Sequence, residues 1–273
     1  MEEKKSKFRT TELSDSQFES NNLRYITVKS KNLNGRGDIS VYVPNTEKKL
    51  NDLPLVILMH GVYGSHWIWS QKTGIHLKMQ QWIEDGEIEP MLIAMPSDGL
   101  WGDGSGYLPH SKIDFEKWIT EDVVNAVVEL IPQASESSKL FIAGLSMGGF
   151  GALRIGLKHN DLFSGVSGLS SITVVEEMEL FVEEPLSAYS QKEKDNESIY
   201  ATVLRNKNNL PPFRFDCGID DDLIEGNRRL HSQLKELNIT HTYKENSGKH
   251  EWIYWETHIK ETIAFFNTIY KTI

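Results

Sequence analysis

The segment LFIAGLSMGGFGAL, residues 140–153, constrains most strongly what this chain can fold into. An apolar run ends in Gly144-Leu145-Ser146-Met147-Gly148, and a second run of small residues follows at once. An ordinary turn would use Asn, Asp or Pro, and a flexible linker would not be so apolar. A buried strand that turns directly into a helix, with the serine at the apex, accounts for the pattern. That turn brings the residues two before and two after the serine together, where side chains would clash, so glycine is favoured at 144 and 148. It also lifts the hydroxyl clear of the sheet and aims the first N–H groups of the helix at the same point. GxSxG alone is common by chance; its place between strand and helix is what marks Ser146 as a candidate nucleophile.

The remainder of the chain supplies a matching frame. LRYITVKS (23–30) and DISVYVP (38–44) alternate as an antiparallel hairpin around NLNGRG. PLVILMH (54–60), MLIAMP (91–96), KLFIAG (139–144), LFSGVSGL (162–169) and FRFDCG (213–218) are near-continuous apolar runs, as expected of strands covered on both faces. THTYKE (240–245) is more polar and suits a sheet edge. Helical patterns occupy about 74–84, 116–131, 147–159, 222–237 and 251–270. Strands alternating with helices predict an α/β protein with a mostly parallel sheet and right-handed crossovers. Residues 1–20 are expected to be a flexible N-terminal tail. Residues 21–273 are expected to form a single domain, interrupted at about 172–212 by an acidic, cap-like insertion.

Composition excludes several classes. With 29 Lys and Arg against 39 Asp and Glu the formal net charge is −10, and no basic stripe stands out, so nucleic acid is not an expected partner. Cys217 is the only cysteine, which rules out an intramolecular disulfide and a cysteine-based zinc cluster; after an apparent strand it reads as a small buried thiol. No run of about 18 apolar residues occurs, and the polar N-terminus lacks the apolar core of a signal peptide. The expectation is therefore a cytoplasmic protein with no membrane partner and no cofactor. The sequence leaves its oligomeric state open.

A serine hydroxyl needs a base to take its proton, and in α/β-hydrolases the chain order is Ser, acid, His. Of the histidines after Ser146, His159 ends the helix that the serine begins, about 18 Å away at 1.5 Å per residue. His231 and His258 fall within helices and His241 on a strand. His250, in the loop NSGKHEW after the last strand and before a helix, lies where open α/β sheets place their chemistry. The acid belongs in CGIDDDL (217–223), where local pattern leaves Asp220, Asp221 and Asp222 open and at least one is expected to cap the following helix. An oxyanion hole needs two N–H donors: Met147, directly after the serine, and Val62 in the glycine-bearing loop LMHGVYGSHW (58–67). His60, at the end of its strand, is expected to orient that loop.

These motifs resemble the esterase D-like group of α/β-hydrolases, which includes S-formylglutathione hydrolases, feruloyl and acetylxylan esterases, tributyrin-type esterases and mycolyltransferases. The resemblance rests on HGVYG (60–64), GLSMGGFGAL (144–153), CGIDDDL (217–223) and GKHEWIYW (248–255), and it spans roughly residues 38–270. It implies an α/β-hydrolase fold and a Ser-His-Asp triad. Its C-G-x-x-D-x-L pattern falls on Cys217, Gly218, Asp221 and Leu223, which singles out Asp221; its His-x-Trp falls on His250 and Trp252. The implied activity is hydrolysis of a carboxylic ester through an acyl-enzyme, on a short-chain acyl, carbohydrate or aryl ester. Acyl transfer on the same fold and a non-catalytic binding protein are the alternatives.

Several aromatic and polar residues need weighing too. Trp67, Trp69 and Trp101 fall in loops expected at the carboxyl end of the sheet, and Trp67 and Trp101 are candidates to line a substrate pocket. Trp252, Trp255 and Ile259 follow helical spacing and are expected to seat the last helix on the core. Asp98-Gly99 and Asp103-Gly104 are turn signals. His60, His66 and His250 lack the spacing of a metal site.

Overall fold

The computed structural model describes residues 6–46 and 50–273. Nine strands form one sheet: β1 (Thr11–Leu13), β2 (Leu23–Ser30), β3 (Gly35–Tyr42), β4 (Leu55–Met59), β5 (Leu92–Pro96), then, beyond a short ribbon of β6 (Pro109–His110) and β7 (Ile113–Asp114), β8 (Leu140–Leu145), β9 (Phe163–Leu169), β10 (Phe213–Gly218) and β11 (Thr242–Asn246). Their order across the sheet is β1-β2-β3-β5-β4-β8-β9-β10-β11. The first three run antiparallel to their neighbours, and from β5 to β11 every pairing is parallel. β11 is the partly exposed edge that its polar sequence predicts. The fold is the predicted α/β-hydrolase arrangement.

Period-two alternation along the central strands feeds two cores. Leu55, Ile57 and Met59 of β4 join one cluster, while Val56 and Leu58 join the other. Helices α1 (Ile68–Thr73), α2 (Ile75–Glu84) and, late in the chain, α8 (Trp252–Tyr270) cover the second face. Opposite them lie α3 (Phe115–Lys117), which continues through a π-helical stretch at Trp118–Val123 into α4 (Val124–Leu130), then α5 (Met147–Lys158), α6 (Ile199–Asn206) and α7 (Ile224–Glu236). The helix expected at about 74–84 is α2, and a further short helix, α1, precedes it across Gly74, which lies in the left-handed region at φ +61°. Among the described residues no helix is long and apolar enough to cross a membrane.

The expected tail of residues 1–20 needs correction over its described part. β1 pairs antiparallel with β2, Lys29 N–H donates to Thr10 O at 3.0 Å, and Phe8 is buried. The signal is weak because three residues that satisfy their backbone on a sheet edge need no apolar alternation of their own. Residues 1–5 lie outside the described residues. The predicted insertion carries three 3-10 helices (Val175–Leu180, Leu186–Tyr189, Lys194–Glu197) and α6, between β9 and β10.

One buried ionic network braces the helix that follows Ser146. Arg154 of α5 is fully buried, pairs with Glu116 and donates to Tyr107 O at 2.5 Å; Tyr107 Oη in turn donates to His60 O at 3.0 Å. Lys158 and His159 reach Glu116 Oε1 at 2.9 and 2.7 Å. Burial alone would raise the Glu116 pKa, but the Arg154 charge and the hydrogen bonds from His159 and Lys158 outweigh it and hold the carboxyl well below the usual range. A depressed carboxyl contributes stability above its unfolded value, about pH 4.3, and that contribution is lost as pH falls below it. Glu116→Gln, which leaves Arg154 as an uncompensated buried charge, should lower the unfolding free energy by about 3–5 kcal/mol at neutral pH. In urea titrations the gap between wild type and variant should narrow as pH drops below about 4.

Candidate active site

The site is assembled from loops at the carboxyl ends of the parallel strands. The chain leaves β4 for β5 on one side and later enters β8 on the other, so the strand order reverses there, which is where such sheets bind ligands. The 60–67 loop follows β4, Ser146 follows β8, Asp221 follows β10 and His250 follows β11.

Ser146 sits at φ +53°, ψ −120°, in a region that a residue with a side chain occupies only under constraint. Its N–H donates to Leu169 O at 2.9 Å, and its own carbonyl accepts the first helical bond from Phe150 N–H at 3.0 Å. The flanking glycines are required sterically. A Cβ at Gly144 would lie 2.3 Å from Gly148 O, and one at Gly148 would lie 2.4 Å from His60 O.

His250 bridges the serine and one aspartate. Its Nε2 lies 2.9 Å from Ser146 Oγ, and its Nδ1 lies 2.9 and 3.0 Å from the two carboxylate oxygens of Asp221. A carboxylate only accepts, so Nδ1 carries the proton and Nε2 accepts from the serine hydroxyl. Asp221 is buried whereas Asp220 and Asp222 are exposed, which separates the three candidates. The acid and base loops are tied together by Ile219 N–H to Asn246 O at 2.9 Å and Asp220 N–H to Gly248 O at 3.1 Å. None of the three aspartates is the helix cap expected from the sequence. α7 begins after Leu223, and Asp221 Oδ1 accepts the Leu223 N–H at 2.9 Å while also meeting the histidine.

Met147 is the first residue of α5, so its N–H is one of the helix-end donors without an intrahelical partner. The 60–64 loop runs beside the serine: a Cβ at Gly61 would lie 3.2 Å from Ser146 Cβ. Val62 is the next residue, and Tyr63 after it is held at φ +57° by its N–H to Asp103 O at 2.8 Å. His60 is buried; its Nδ1 donates to Gly61 O at 2.6 Å and its Nε2 accepts from Asp98 N–H at 3.1 Å. It orients this loop, as its place at the strand end predicts. Asp98 organises the next turn by accepting from Leu100 N–H and Ser105 N–H at 2.9 and 2.7 Å.

The other histidines after Ser146 are engaged elsewhere. His231 and His241 pair at 2.8 Å, His159 meets Glu116, and His258 packs on Tyr254. Burial pushes the Cys217 thiol up, in keeping with a small buried residue. Trp101 packs against His110 and Tyr189, with ring centroids 4.3 and 5.7 Å away, and Trp67 is partly exposed at the start of α1. Trp69 is not a loop residue but a buried one in α1, its Nε1 donating to Met59 O at 3.0 Å. Among the described residues, the rings packed on His250 are Phe181, stacked at 4.9 Å, and Trp255, edge-on at 5.0 Å. Phe181 escaped the sequence reading. Its signal is an apolar residue recurring in an otherwise acidic insertion. Among the described residues no three His, Cys, Asp or Glu side chains converge as metal ligands.

The model of the Esterase family, described as "Putative esterase", matches residues 30–266. An acetyl esterase from Caldicellulosiruptor saccharolyticus is 26% identical over 236 residues, covering 80% of this chain and 85% of the relative. Among solved structures, a ferulic acid esterase superposes with a TM-score of 0.77 at 22% identity, over 96% of this chain and 99% of that one. The S-formylglutathione hydrolase FrmB from Staphylococcus aureus superposes with a TM-score of 0.75 at 18% identity, over 89% and 97%. The matched region contains the elbow, the acid loop and the base loop, and the chain belongs to the Esterase family, as a serine esterase on the α/β-hydrolase fold.

Proposed function

We propose that the chain hydrolyses small carboxylic esters through an acyl-enzyme on Ser146, with His250 as base and Asp221 as its orienting acid. The observation that carries this reading is the hydrogen-bonded line from Ser146 Oγ through His250 to Asp221, with each step between 2.9 and 3.0 Å. Ser146 Oγ attacks the ester carbonyl carbon as its proton passes to His250 Nε2. The carbonyl electron pair moves onto oxygen, where the N–H groups of Met147 and Val62 stabilise it. Asp221 holds the imidazole tautomer and steadies the imidazolium. Collapse of the tetrahedral species expels the alcohol, which takes the proton from Nε2. Water, deprotonated by His250, then attacks the acyl carbon, and Ser146 leaves with its proton restored.

The acetyl esterase relative supports a short acyl group, and the ferulic acid esterase fold neighbour makes an aryl acyl group the natural comparison. A panel of p-nitrophenyl acetate, p-nitrophenyl butyrate, a feruloyl ester and a thioester separates these. Higher kcat/KM for acetate than for butyrate and feruloyl esters is expected. A preference for the thioester would overturn the assignment to oxygen esters of short acyl groups.

A further inference from the structure

The insertion contains VEEMELF, residues 175–181, in which Val175, Met178 and Phe181 recur at every third position among glutamates. Residues Val175–Leu180 form a 3-10 helix, whose three-residue turn puts i and i+3 on one face. Val175 and Met178 are buried, and Phe181 closes the turn by donating its N–H to Met178 O at 2.8 Å. Its ring then lies nearly parallel to the His250 imidazole, with an interplanar angle of 29°, while Trp255 meets the same imidazole edge-on at 88°. The segment is pinned just beyond this contact. Glu183 N–H donates to Asp103 Oδ2 at 2.7 Å, Asp103 N–H donates to Glu184 Oε1 at 3.1 Å, and Tyr189 Oη donates to Gly104 O at 2.9 Å.

We propose that Phe181 is a positioning residue for the base: its ring fixes the plane in which His250 keeps Nδ1 on Asp221 and Nε2 on Ser146. The proposal rests on the reading of His250 as the base. A carboxylate partner fixes one end of an imidazole but leaves the ring free to swing about that contact, and one stacked and one edge-on aromatic neighbour restrict that freedom. The aromatic face also favours the imidazolium that forms when His250 takes the serine proton. The cap-like insertion thereby contributes to the chemistry and does not only cover the site.

Phe181→Leu keeps an apolar side chain and removes the ring, whereas Phe181→Tyr keeps the ring. Misplacement of a reacting group by about 1 Å can cost about 100-fold. Phe181→Leu should therefore lower kcat for p-nitrophenyl acetate, and the rate of fluorophosphonate labelling, by about 10- to 100-fold, with KM within about 3-fold of wild type. Phe181→Tyr should restore the rate. Wild-type rates in Phe181→Leu would overturn the proposal, as would a change confined to KM or equal impairment of Phe181→Tyr. His250→Ala separates the two levels: if it abolishes labelling while Phe181→Leu has no effect, only the positioning role fails. If His250→Ala labels normally, the reading of the base fails.

Discussion

Ser146→Ala should lower kcat for p-nitrophenyl acetate by about 10⁶-fold, the size of effect seen when the serine of another hydrolase triad is removed. The loss is large because the hydroxyl is the attacking atom and no neighbouring group replaces it: His250 Nε2, 2.9 Å away, is left with no proton to take from an attacking serine. KM should change by no more than about 3-fold, because the bond lost forms only on the way to the transition state. Residual catalysis of about 10³–10⁴ over water should persist from the N–H groups of Met147 and Val62, since alanine leaves both in place. The measurement is steady-state kinetics on protein whose unfolding transition matches the wild type. Retention of more than a few per cent of wild-type kcat would remove Ser146 from the mechanism.

Asp221→Asn should cost about 10⁴-fold in kcat, with Asp220→Asn and Asp222→Asn each within about 3-fold of wild type. The asymmetry follows from geometry. Asp221 is buried and accepts from His250 Nδ1, whereas its neighbours are exposed. An asparagine at 221 can present its NH₂ to Nδ1, which favours the imidazole tautomer with the proton on Nε2, and that nitrogen then cannot accept from Ser146. The fold should tolerate the change better than the chemistry does, because the amide oxygen can still accept the Leu223 N–H now bound by Asp221 Oδ1. Equal loss in all three variants would point to a general effect of the acidic loop.

The elbow was the most legible part of the chain because its steric demand is local: two glycines must pass each other within van der Waals contact, and few other residues permit it. The apolar runs of β4, β5 and β8 were equally plain, since burial on both faces favours unbroken apolar sequence. The candidate base, His250, emerged from chain order and loop position. The acid did not, because three adjacent aspartates differ only in which one the β10 loop turns inward, a tertiary fact. Pattern also missed β1, which takes its order from pairing with β2, and α1, whose WIWSQKT reads as loop until Gly74 separates it from α2. Phe181 and the Glu116–Arg154 pair lay furthest from view. Each joins elements distant in sequence, so no local pattern names the partner it meets.

The central claim is that Ser146 is the activated nucleophile, and mapping a covalent fluorophosphonate adduct tests it most directly. Protein treated with the probe, digested and sequenced by tandem mass spectrometry should carry a single phosphonyl group on Ser146, and activity should fall in step with its formation. Complete inactivation with the adduct on any other residue, or sustained ester hydrolysis by fully Ser146-modified protein, would contradict the account.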